Sequence, residues 1–291
     1  MSIVEKAVEK LRTLQPGTPA AAPPGSEAVP AARAPRQPVP ESPSPLWPVD
    51  AGRLRRADLM PAEDGAARRL ADELRRTKRP LLNNAVKRAG MLAHARRIVV
   101  TSAVPGEGKS FTALNLAMSL AREPDFEVLL VDADVPKAHI TRALGMQGRP
   151  GLMDVLLHKE CRPEEVIVRT DMPNLMLVPA GERHPLTSEL FGGRRMEHVL
   201  QAWESPHRQR LLVFDSSPLL ATSESQVLAS RMGQVVMVVA AGRTRRQELK
   251  TALQAIDDAP YVGIILNKSR LPAAENHYYD YYTSCPDGGE A

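Results

Sequence analysis

The residues with the clearest chemical potential lie in one short segment, Ala103-Val-Pro-Gly-Glu-Gly-Lys-Ser110. The apolar run RIVVTS precedes it and FTALNLAMSLA follows it, so a strand leads into the segment and a helix leads out of it. Gly106 and Gly108 allow backbone N–H groups to close around phosphate oxygens, and the helix presents its positive N-terminus to them. Lys109 is then placed to reach the β- and γ-phosphates of ATP, and the Ser110 hydroxyl to bind Mg²⁺. The residues that we expect to contact ATP here are Pro105, Gly106, Glu107, Gly108, Lys109, Ser110 and Phe111.

The segment departs from the usual pattern G-x-x-x-x-G-K-[ST] at its first position, where Ala103 stands in place of glycine. A small side chain is compatible with that position. The alternative interpretation is a glycine turn followed by a chance Lys-Ser pair, and the strand and helix on either side make it improbable.

Three carboxylates follow apolar runs that read as strands. Asp132 and Asp134 end EVLLVDAD, and Asp215 follows the apolar run of RLLVFDSSP. Because open α/β sheets bind ligands at the carboxyl ends of their strands, these carboxylates should converge on the phosphate-binding segment. Carboxylates bind Mg²⁺ and accept the proton of an attacking hydroxyl group, so we assign Lys109 and all three to catalysis, and the three with Ser110 to the metal. The alternative is that they cap helices or end strands in solvent.

Asn267 ends the last apolar run, GIILNK. Its amide has the donor and acceptor needed to hydrogen-bond an adenine edge. A role in a turn or a helix cap is an equally good interpretation.

The elements that must position these residues predict an α/β fold, a three-layer arrangement with a mainly parallel sheet flanked by helices. Short Val, Ile and Leu runs alternate with longer helical patterns beyond Arg96. Strands are expected at RIVVTS, EVLLVDAD, LMLVPA, RLLVFDSS, QVVMVVAA and YVGIILNK. Helices are expected near Lys109 to Arg122, Ser188 to Ala202, Ser223 to Ser230 and Arg245 to Ala259.

The chain divides into five predicted regions. Residues 1–14 form an amphipathic helix that docks on a partner, on a membrane or on its own domain. Residues 15–50 form a Pro- and Ala-rich disordered linker, since 11 of the 26 prolines lie between Pro16 and Pro48. Residues 51–94 form a helical, arginine-rich segment, residues 95–270 the nucleotide-binding domain, and residues 271–291 a flexible tail.

Composition excludes several classes of protein. The net charge of +4 comes from 38 basic and 34 acidic residues, and no aromatic residues interleave with the arginines of residues 51–94, so we expect no nucleic-acid partner. The two cysteines, Cys161 and Cys285, have no metal-ligand spacing, which favours a reducing, cytoplasmic location. The longest apolar run, Val235 to Ala241, is shorter than the roughly 18 to 20 residues of a membrane span, and the N-terminus lacks the pattern of a signal peptide.

Four of the five tyrosines lie together near the C-terminus, in HYYDYYTS. The surrounding Gly, Pro, Asp and Glu residues predict a mobile segment, and a mobile phenol beside a nucleotide site is a candidate phosphoryl acceptor. The alternative is an aromatic patch that adheres to a partner. The candidate acceptors are Tyr278, Tyr279, Tyr281 and Tyr282.

Together these motifs resemble the bacterial tyrosine kinases of exopolysaccharide synthesis, specifically the cytoplasmic autokinases associated with exosortase-type systems. The resemblance covers about residues 70 to 282 and rests on Pro105 to Ser110, on the Asp-x-Asp at Asp132 and Asp134, and on Asp215. It includes a Glu-x-x-Arg-x-x-Arg motif, which matches Glu73, Arg76 and Arg79, and the tyrosine cluster.

The resemblance implies a protein-tyrosine kinase that uses ATP and Mg²⁺ and assembles into a ring-shaped homo-oligomer through Glu73, Arg76 and Arg79. The tail of one subunit would enter the active site of the next and be phosphorylated there, with Asp132 or Asp134 as proton acceptor. It also implies control of polysaccharide chain synthesis and export, a transmembrane activator of the chain-length-determinant type, a tyrosine phosphatase as a further partner, and a place at the inner face of the inner membrane through that activator.

Two features separate this family from its rivals. Partition and cell-division positioning ATPases carry a second lysine two residues before Gly-x-Gly, where this chain has Val104, and they lack a tyrosine tail. A scaffold that binds ATP without catalysis would carry the same loop and carboxylates, so this alternative stays open.

The chain also departs from the resemblance after Asp134. Paired arginines are frequent there in the family, and this chain has Val135-Pro136-Lys137.

Overall fold

The computed structural model describes residues 45–88, 90–204 and 209–269. They belong to one compact unit built around a seven-stranded sheet. The strands are β1 Arg97–Ser102, β2 Phe126–Asp132, β3 Val168–Arg169, β4 Leu175–Val178, β5 Gln209–Asp215, β6 Gln234–Ala240 and β7 Val262–Asn267. The helices are α1 Ala51–Arg56, α2 Asp64–Lys87, α3 Lys109–Leu120, α4 His139–Ala143, α5 Leu152–Leu157, a 3₁₀ turn Pro163–Val166, α6 Thr187–Gly192, α7 Arg194–Trp203, α8 Ser223–Ala229 and α9 Arg246–Gln254.

The order of the strands is β3-β4-β2-β5-β1-β6-β7, and every pairing except β3 with β4 is parallel. The predicted α/β class with a mainly parallel sheet is therefore confirmed. Strand β1, which leads into the phosphate-binding segment, lies between β5 and β6. Asp132 and Asp215 are register partners at the ends of β2 and β5, so the topology brings the two carboxylates to one edge.

Alternate residues of each strand point to opposite faces of the sheet, and both faces are buried along the central strands, whereas Ile264 and Leu266 of the edge strand β7 are exposed. Ile98 and Val100 of β1 join one core cluster, which helices α1 to α4 cover. Val99 joins the other, which is covered by helices α5 to α9 and includes the fully buried Trp203. Burial on both sides explains why the strands read as continuous apolar runs.

The segment 51–94 is not a single helix apart from the nucleotide-binding domain. Helices α1 and α2 are separated by residues 57–63, where Asp58 has a left-handed φ of 54° and Leu59 is buried. Leu74 and Leu81 of α2 join the same core cluster as β1. The apolar stripe of α2 is thus part of the core, and the domain boundary at residue 94 stays a prediction.

The opposite face of α2 carries the predicted oligomerisation motif. Glu73, Arg76 and Arg79 are all exposed there. On the buried side of α2, Lys78 donates to the Ser119 carbonyl of α3 at 3.0 Å and pairs with Glu123, which lies just beyond the end of α3. Helix α2 is thus fixed to α3 on one side and presents the motif to solvent on the other.

Residues 45–50 of the predicted linker lie within the described part of the chain. Trp47 forms a parallel bridge with Thr170 beyond β3, and its indole Nε1 donates to the Leu144 carbonyl at 3.0 Å. Strand β3 itself, two residues long and antiparallel, was not predicted, because so short a segment has no periodicity.

The predicted helix from Ser188 to Ala202 is wrong as one element, since it divides into α6 and α7. Gly193, which follows another glycine, adopts an extended ψ of 164° between them, and glycine is a poor residue for a helix interior.

Among the described residues, no helix is both long and apolar enough to cross a bilayer. The amphipathic helix predicted for residues 1–14 and the tail from residue 271 lie outside the described residues.

Candidate active site

The phosphate-binding segment forms a tight loop between β1 and the twelve-residue helix α3. Gly106 and Gly108 have φ values of 84° and 99°, in the left-handed region where a side chain is strained. A Cβ added to Gly108 would also overlap Nδ2 of Asn267. Both predicted glycines are therefore required by the backbone, and at Gly108 by the neighbouring strand as well.

Glu107 fixes the loop to β6 and to the turn that follows β6. Its side chain is 1% exposed and accepts hydrogen bonds from the N–H of Val104 at 2.7 Å, from the N–H of Ala240 at 3.3 Å and from the Thr244 hydroxyl. The carboxylate of Glu107 thus points away from the mouth of the loop and ties it to β6 and the turn that follows. Within the predicted ATP-binding set, it is a residue that shapes the loop.

Asn267 and Lys268 hold the same loop by its carbonyl groups. Nδ2 of Asn267 donates to the Glu107 carbonyl at 2.8 Å, and Nζ of Lys268 donates to the Gly106 carbonyl at 2.7 Å. The Oδ1 of Asn267 accepts from the N–H of Lys268 at 2.8 Å. The predicted adenine-binding residue is therefore placed against the loop, where it supports the backbone.

These contacts leave the N–H groups of the loop free. The backbone N–H groups of residues 106–110 donate no hydrogen bond to any other described residue. They precede and begin α3, so the partial positive charge of the helix N-terminus adds to theirs. Such an arrangement binds phosphate oxygens. Pro105 and Gly106 are exposed at its rim, whereas the side chain of Phe111 packs on the core cluster beneath α3.

Asp215 ends β5 with a fully buried carboxylate. Neither of its oxygens forms a hydrogen bond of normal geometry with a described residue, although the Ser110 hydroxyl lies near enough to lower its pKa. Burial of the charge raises the pKa of Asp215 to about 7, against the opposing attraction of Lys109, and the neighbouring charge of Asp132 raises it further. A buried carboxylate without a partner is costly, and it marks a place where a cation or a donor is expected.

Asp132 has one satisfied and one unsatisfied oxygen. Its Oδ2 accepts from the N–H of Thr141 at 2.8 Å and from the Thr141 hydroxyl at 2.7 Å, whereas Oδ1 is buried without a partner among the described residues. Burial raises the pKa of Asp132 to about 6, although the two hydrogen bonds from Thr141 lower it. One free oxygen of Asp132 thus remains at the carboxyl edge of the sheet.

Asp134 has no free oxygen. Its Oδ2 pairs with Nζ of Lys109, and its Oδ1 accepts from the Ser217 hydroxyl at 2.7 Å. Burial alone would lower the pKa of Lys109, but the nearby charges of Asp215, Asp134 and Asp132 outweigh it and raise that pKa. Lys109 is therefore charged, and Asp134 fixes its ammonium group beside the Ser110 hydroxyl, 3.3 Å away.

The residues fit a magnesium ion that binds together with phosphates. No group of three or more His, Cys, Asp or Glu side chains within the described part of the chain forms a ready-made metal cage. Mg²⁺ in phosphate sites uses one or two carboxylates with substrate oxygens and water, and it does not need such a cage. The buried oxygens of Asp215 and the Ser110 hydroxyl meet this requirement.

The structure thus brings together most of the predicted site residues, namely the loop, Lys109, Ser110, Asp132, Asp134, Asp215 and Asn267. The oligomerisation motif lies on α2, away from the loop, and the four tail tyrosines lie outside the described residues. Thr141, Ser217 and Thr244 complete the site and were not predicted. Ser217 follows Asp215 closely and was within reach of sequence reasoning, but Thr141 and Thr244 lie in no motif and reach the site only through the fold.

Residues 95–258 match the family model described as the AAA domain. Tyrosine-protein kinase YwqD of Bacillus subtilis is 31% identical over 189 residues, which are 64% of this chain and 77% of YwqD. Tyrosine-protein kinase wzc of Salmonella typhimurium is 30% identical over 200 residues, 67% of this chain and 27% of that protein, so the chain spans about a quarter of this longer relative. The kinase domain of the Escherichia coli tyrosine kinase ETK superposes with a TM-score of 0.55 at 25% identity, over 67% of this chain and 72% of that domain. The chain therefore belongs to the bacterial tyrosine-protein kinases, within the AAA domain family of nucleotide-binding proteins.

Proposed function

We propose that the protein is a protein-tyrosine autokinase that transfers the γ-phosphoryl group of ATP to the tyrosines of its own tail, Tyr278, Tyr279, Tyr281 and Tyr282. One juxtaposition supports this most strongly. The free N–H groups of residues 106–110 form a site for an anion, and the buried carboxylate of Asp215, which forms no hydrogen bond of normal geometry with a described residue, favours a cation. A nucleotide phosphate chain with its Mg²⁺ satisfies both requirements at once.

In this proposal the loop and Lys109 bind the β- and γ-phosphates, and Ser110 and Asp215 hold Mg²⁺. The metal, when bound, would offset negative charge on the phosphate oxygens during transfer. Asp134 acts on Lys109, since its ion pair orients the ammonium group and the Ser217 hydroxyl fixes Asp134 in turn. The adenine contact predicted for Asn267 stays a prediction.

The proton acceptor is Asp132. The tyrosine oxygen forms a bond to the γ-phosphorus, the bond from that phosphorus to ADP breaks, and the phenolic proton passes to a carboxylate. Both oxygens of Asp134 are engaged, whereas Oδ1 of Asp132 has no partner among the described residues. The geometry therefore favours Asp132 over Asp134, and Thr141 orients it through Oδ2.

Val104 distinguishes the proposal from a positioning ATPase of the same fold. Its side chain is partly buried and packs on the core cluster that contains Val99 and Trp203, at the position where those ATPases have a lysine. A side chain turned into the core offers no charge to a bound nucleotide. The tyrosine cluster supplies the acceptor that a positioning ATPase lacks.

The proposed function also includes assembly of the protein into a ring and its regulation by partners. Exposed Glu73, Arg76 and Arg79 support assembly of a ring in which the tail of one subunit reaches the next. Added phosphate charge would then repel the acidic site and release the tail. We further propose a transmembrane activator of the chain-length-determinant type that holds the protein at the inner membrane, a phosphatase that resets it, and control of exopolysaccharide synthesis and export.

A mixing experiment tests transfer between subunits. The Lys109→Met chain keeps its tail but loses a phosphate ligand, whereas a chain truncated before Tyr278 keeps the site but loses the acceptors. Incubated separately with Mg²⁺ and ATP, neither should become phosphorylated at the tail. Mixed together, they should give phosphotyrosine on the Lys109→Met chain alone, mapped by mass spectrometry to residues 278–282.

Other outcomes would favour one of the two alternative functions, a positioning ATPase or a scaffold without catalysis. If the unaltered chain gives no phosphotyrosine, even with the cytoplasmic fragment of an activator, the kinase proposal is wrong. ATP hydrolysis stimulated by DNA would favour the positioning ATPase, and ATP-dependent assembly without turnover would favour a scaffold. Light scattering of a Glu73→Ala, Arg76→Ala, Arg79→Ala chain tests the ring, which should dissociate.

A further inference from the structure

The turn that follows β6 places a second basic side chain against the phosphate loop. The guanidinium group of Arg243 lies beside Gly106, so that a carbon attached at the Cβ position of Gly106 would be 3.5 Å from Nη1 and 3.7 Å from Nη2. The near-equal distances show that the forked end of the guanidinium group, and not its aliphatic stem, faces the loop. Arg243 belongs to no recognised motif of the chain.

Hydrogen bonds fix this turn to the loop. The hydroxyl of Thr244 donates to the carboxylate of Glu107 and accepts from the N–H of Ala240 at 3.0 Å. The N–H of Arg243 donates to the Ala240 carbonyl at 3.2 Å, which closes the turn. Gly242, with a φ of 66°, supplies the left-handed residue that the reversal needs. The backbone of Arg243 is therefore held in place relative to Gly106.

The charge of Arg243 is not used elsewhere within the described residues. Its side chain is exposed and has no ion pair or side-chain hydrogen bond to another described residue. Lys268, the other cation near Gly106, is occupied by the carbonyl of that residue. Arg243 thus keeps its donors free beside backbone N–H groups that are also free, and a guanidinium fork matches phosphate oxygens in geometry.

We propose that Arg243 is a further ligand of the nucleotide, whose guanidinium group donates to the phosphate chain of ATP from the turn between β6 and α9. The inference rests on the proposed function, because it assumes that the loop binds ATP. It adds a cation outside the loop to the charge that Lys109 provides inside it.

Titration with a fluorescent ATP analogue and Mg²⁺ tests the proposal in the full chain. Arg243→Ala should weaken binding about 10-fold, as expected for the loss of a charge-assisted hydrogen bond at an exposed position. Arg243→Lys, which keeps the charge but not the fork, should restore part of the affinity. The matched control is Arg246→Ala, since Arg246 on α9 is also exposed and has no side-chain partner among the described residues. Its affinity should equal that of the unaltered chain.

The urea midpoint without nucleotide should be the same for Arg243→Ala and the unaltered chain, because the side chain stabilises no described contact. A lower midpoint with unchanged affinity would show a structural role and overturn the proposal. If the unaltered chain binds ATP and Arg243→Ala binds it equally well, this inference alone fails. If Arg243→Ala binds ATP normally but phosphorylates the tail more slowly, the guanidinium group contacts the acceptor segment, and the inference again fails. If the unaltered chain does not bind ATP, the proposed function fails as well.

Discussion

Replacement of Asp215 by asparagine should change how the stability of the protein depends on pH. The carboxylate is fully buried, and neither oxygen forms a hydrogen bond of normal geometry with a described residue. Burial raises its pKa from 3.8 to about 7, although Lys109 opposes the shift. Asparagine has nearly the same shape and no charge, so Asp215→Asn removes the titration and leaves the packing intact.

The sign of the effect follows from proton linkage. A carboxyl group with a raised pKa in the folded state binds its proton more tightly there than in the unfolded chain. The stability that it contributes is complete below the unfolded pKa of 3.8 and is lost as the pH rises through about 7. The unaltered chain should therefore lose stability relative to Asp215→Asn across this window.

The magnitude follows from the same shift. One pKa unit corresponds to about 1.36 kcal/mol, so the interval from about pH 5 to about pH 7 is equivalent to between about 2 and 3 kcal/mol. The neighbouring Asp132 also titrates in this range in both chains, since burial raises its pKa to about 6. We therefore expect the difference in free energy of unfolding between the two chains to grow by about 2 kcal/mol as the pH is raised.

Urea unfolding, followed by the fluorescence of buried Trp203, measures this difference at each pH. The matched control is Asp258→Asn, because Asp258 is an exposed aspartate between α9 and β7. Its curve should run parallel to that of the unaltered chain. If the curve of Asp215→Asn is also parallel, or if the variant becomes relatively less stable at higher pH, then Asp215 does not carry a buried charge of the kind inferred here.

Two further substitutions test the scaffold of the site. Gly108→Ala should weaken ATP binding by more than about 10-fold, because the new Cβ displaces Asn267. The control is Gly148→Ala, since Gly148 has a φ of 74° and open space around it, so that this variant should lose only about 1 kcal/mol of stability to backbone strain. Equal ATP affinities for the two variants would contradict the prediction. Thr141→Val should lower the free energy of unfolding by about 1 to 3 kcal/mol, since Asp132 loses a buried donor, and urea unfolding no different from that of the unaltered chain would show that this hydrogen bond is unimportant.

Local sequence determined the parts of the site that depend on neighbouring residues. Gly106 and Gly108 had to be glycines because the loop needs left-handed backbone, and Lys109 and Ser110 follow them at the start of α3. The apolar runs before Asp132 and Asp215 predicted strands because a parallel sheet is buried on both faces. These features depend on chain geometry over a few residues, and a sequence records them directly.

Tertiary structure decided how the three predicted carboxylates differ in their contacts. The three carboxylates look equivalent in the sequence, but Thr141 engages one oxygen of Asp132, Lys109 and Ser217 engage both oxygens of Asp134, and Asp215 forms no hydrogen bond of normal geometry with a described residue. These partners lie on α3, on α4 and just beyond β5, and Ser217 is 83 residues from Asp134 along the chain, so no local pattern indicates them.

The phosphate-binding loop shows the same division. Its own residues specify that it binds an anion, because glycine and a helix N-terminus suffice for that. Its support comes from Thr244 and Asn267, and the nearby charge of Arg243 comes from the same distant part of the chain. Only the strand order, which sets β6 and β7 beside β1, brings them there. The sequence by itself thus determined that a nucleotide site exists and where it begins, whereas packing of the sheet determined which side chains are free to bind, to accept a proton or only to hold the others in place.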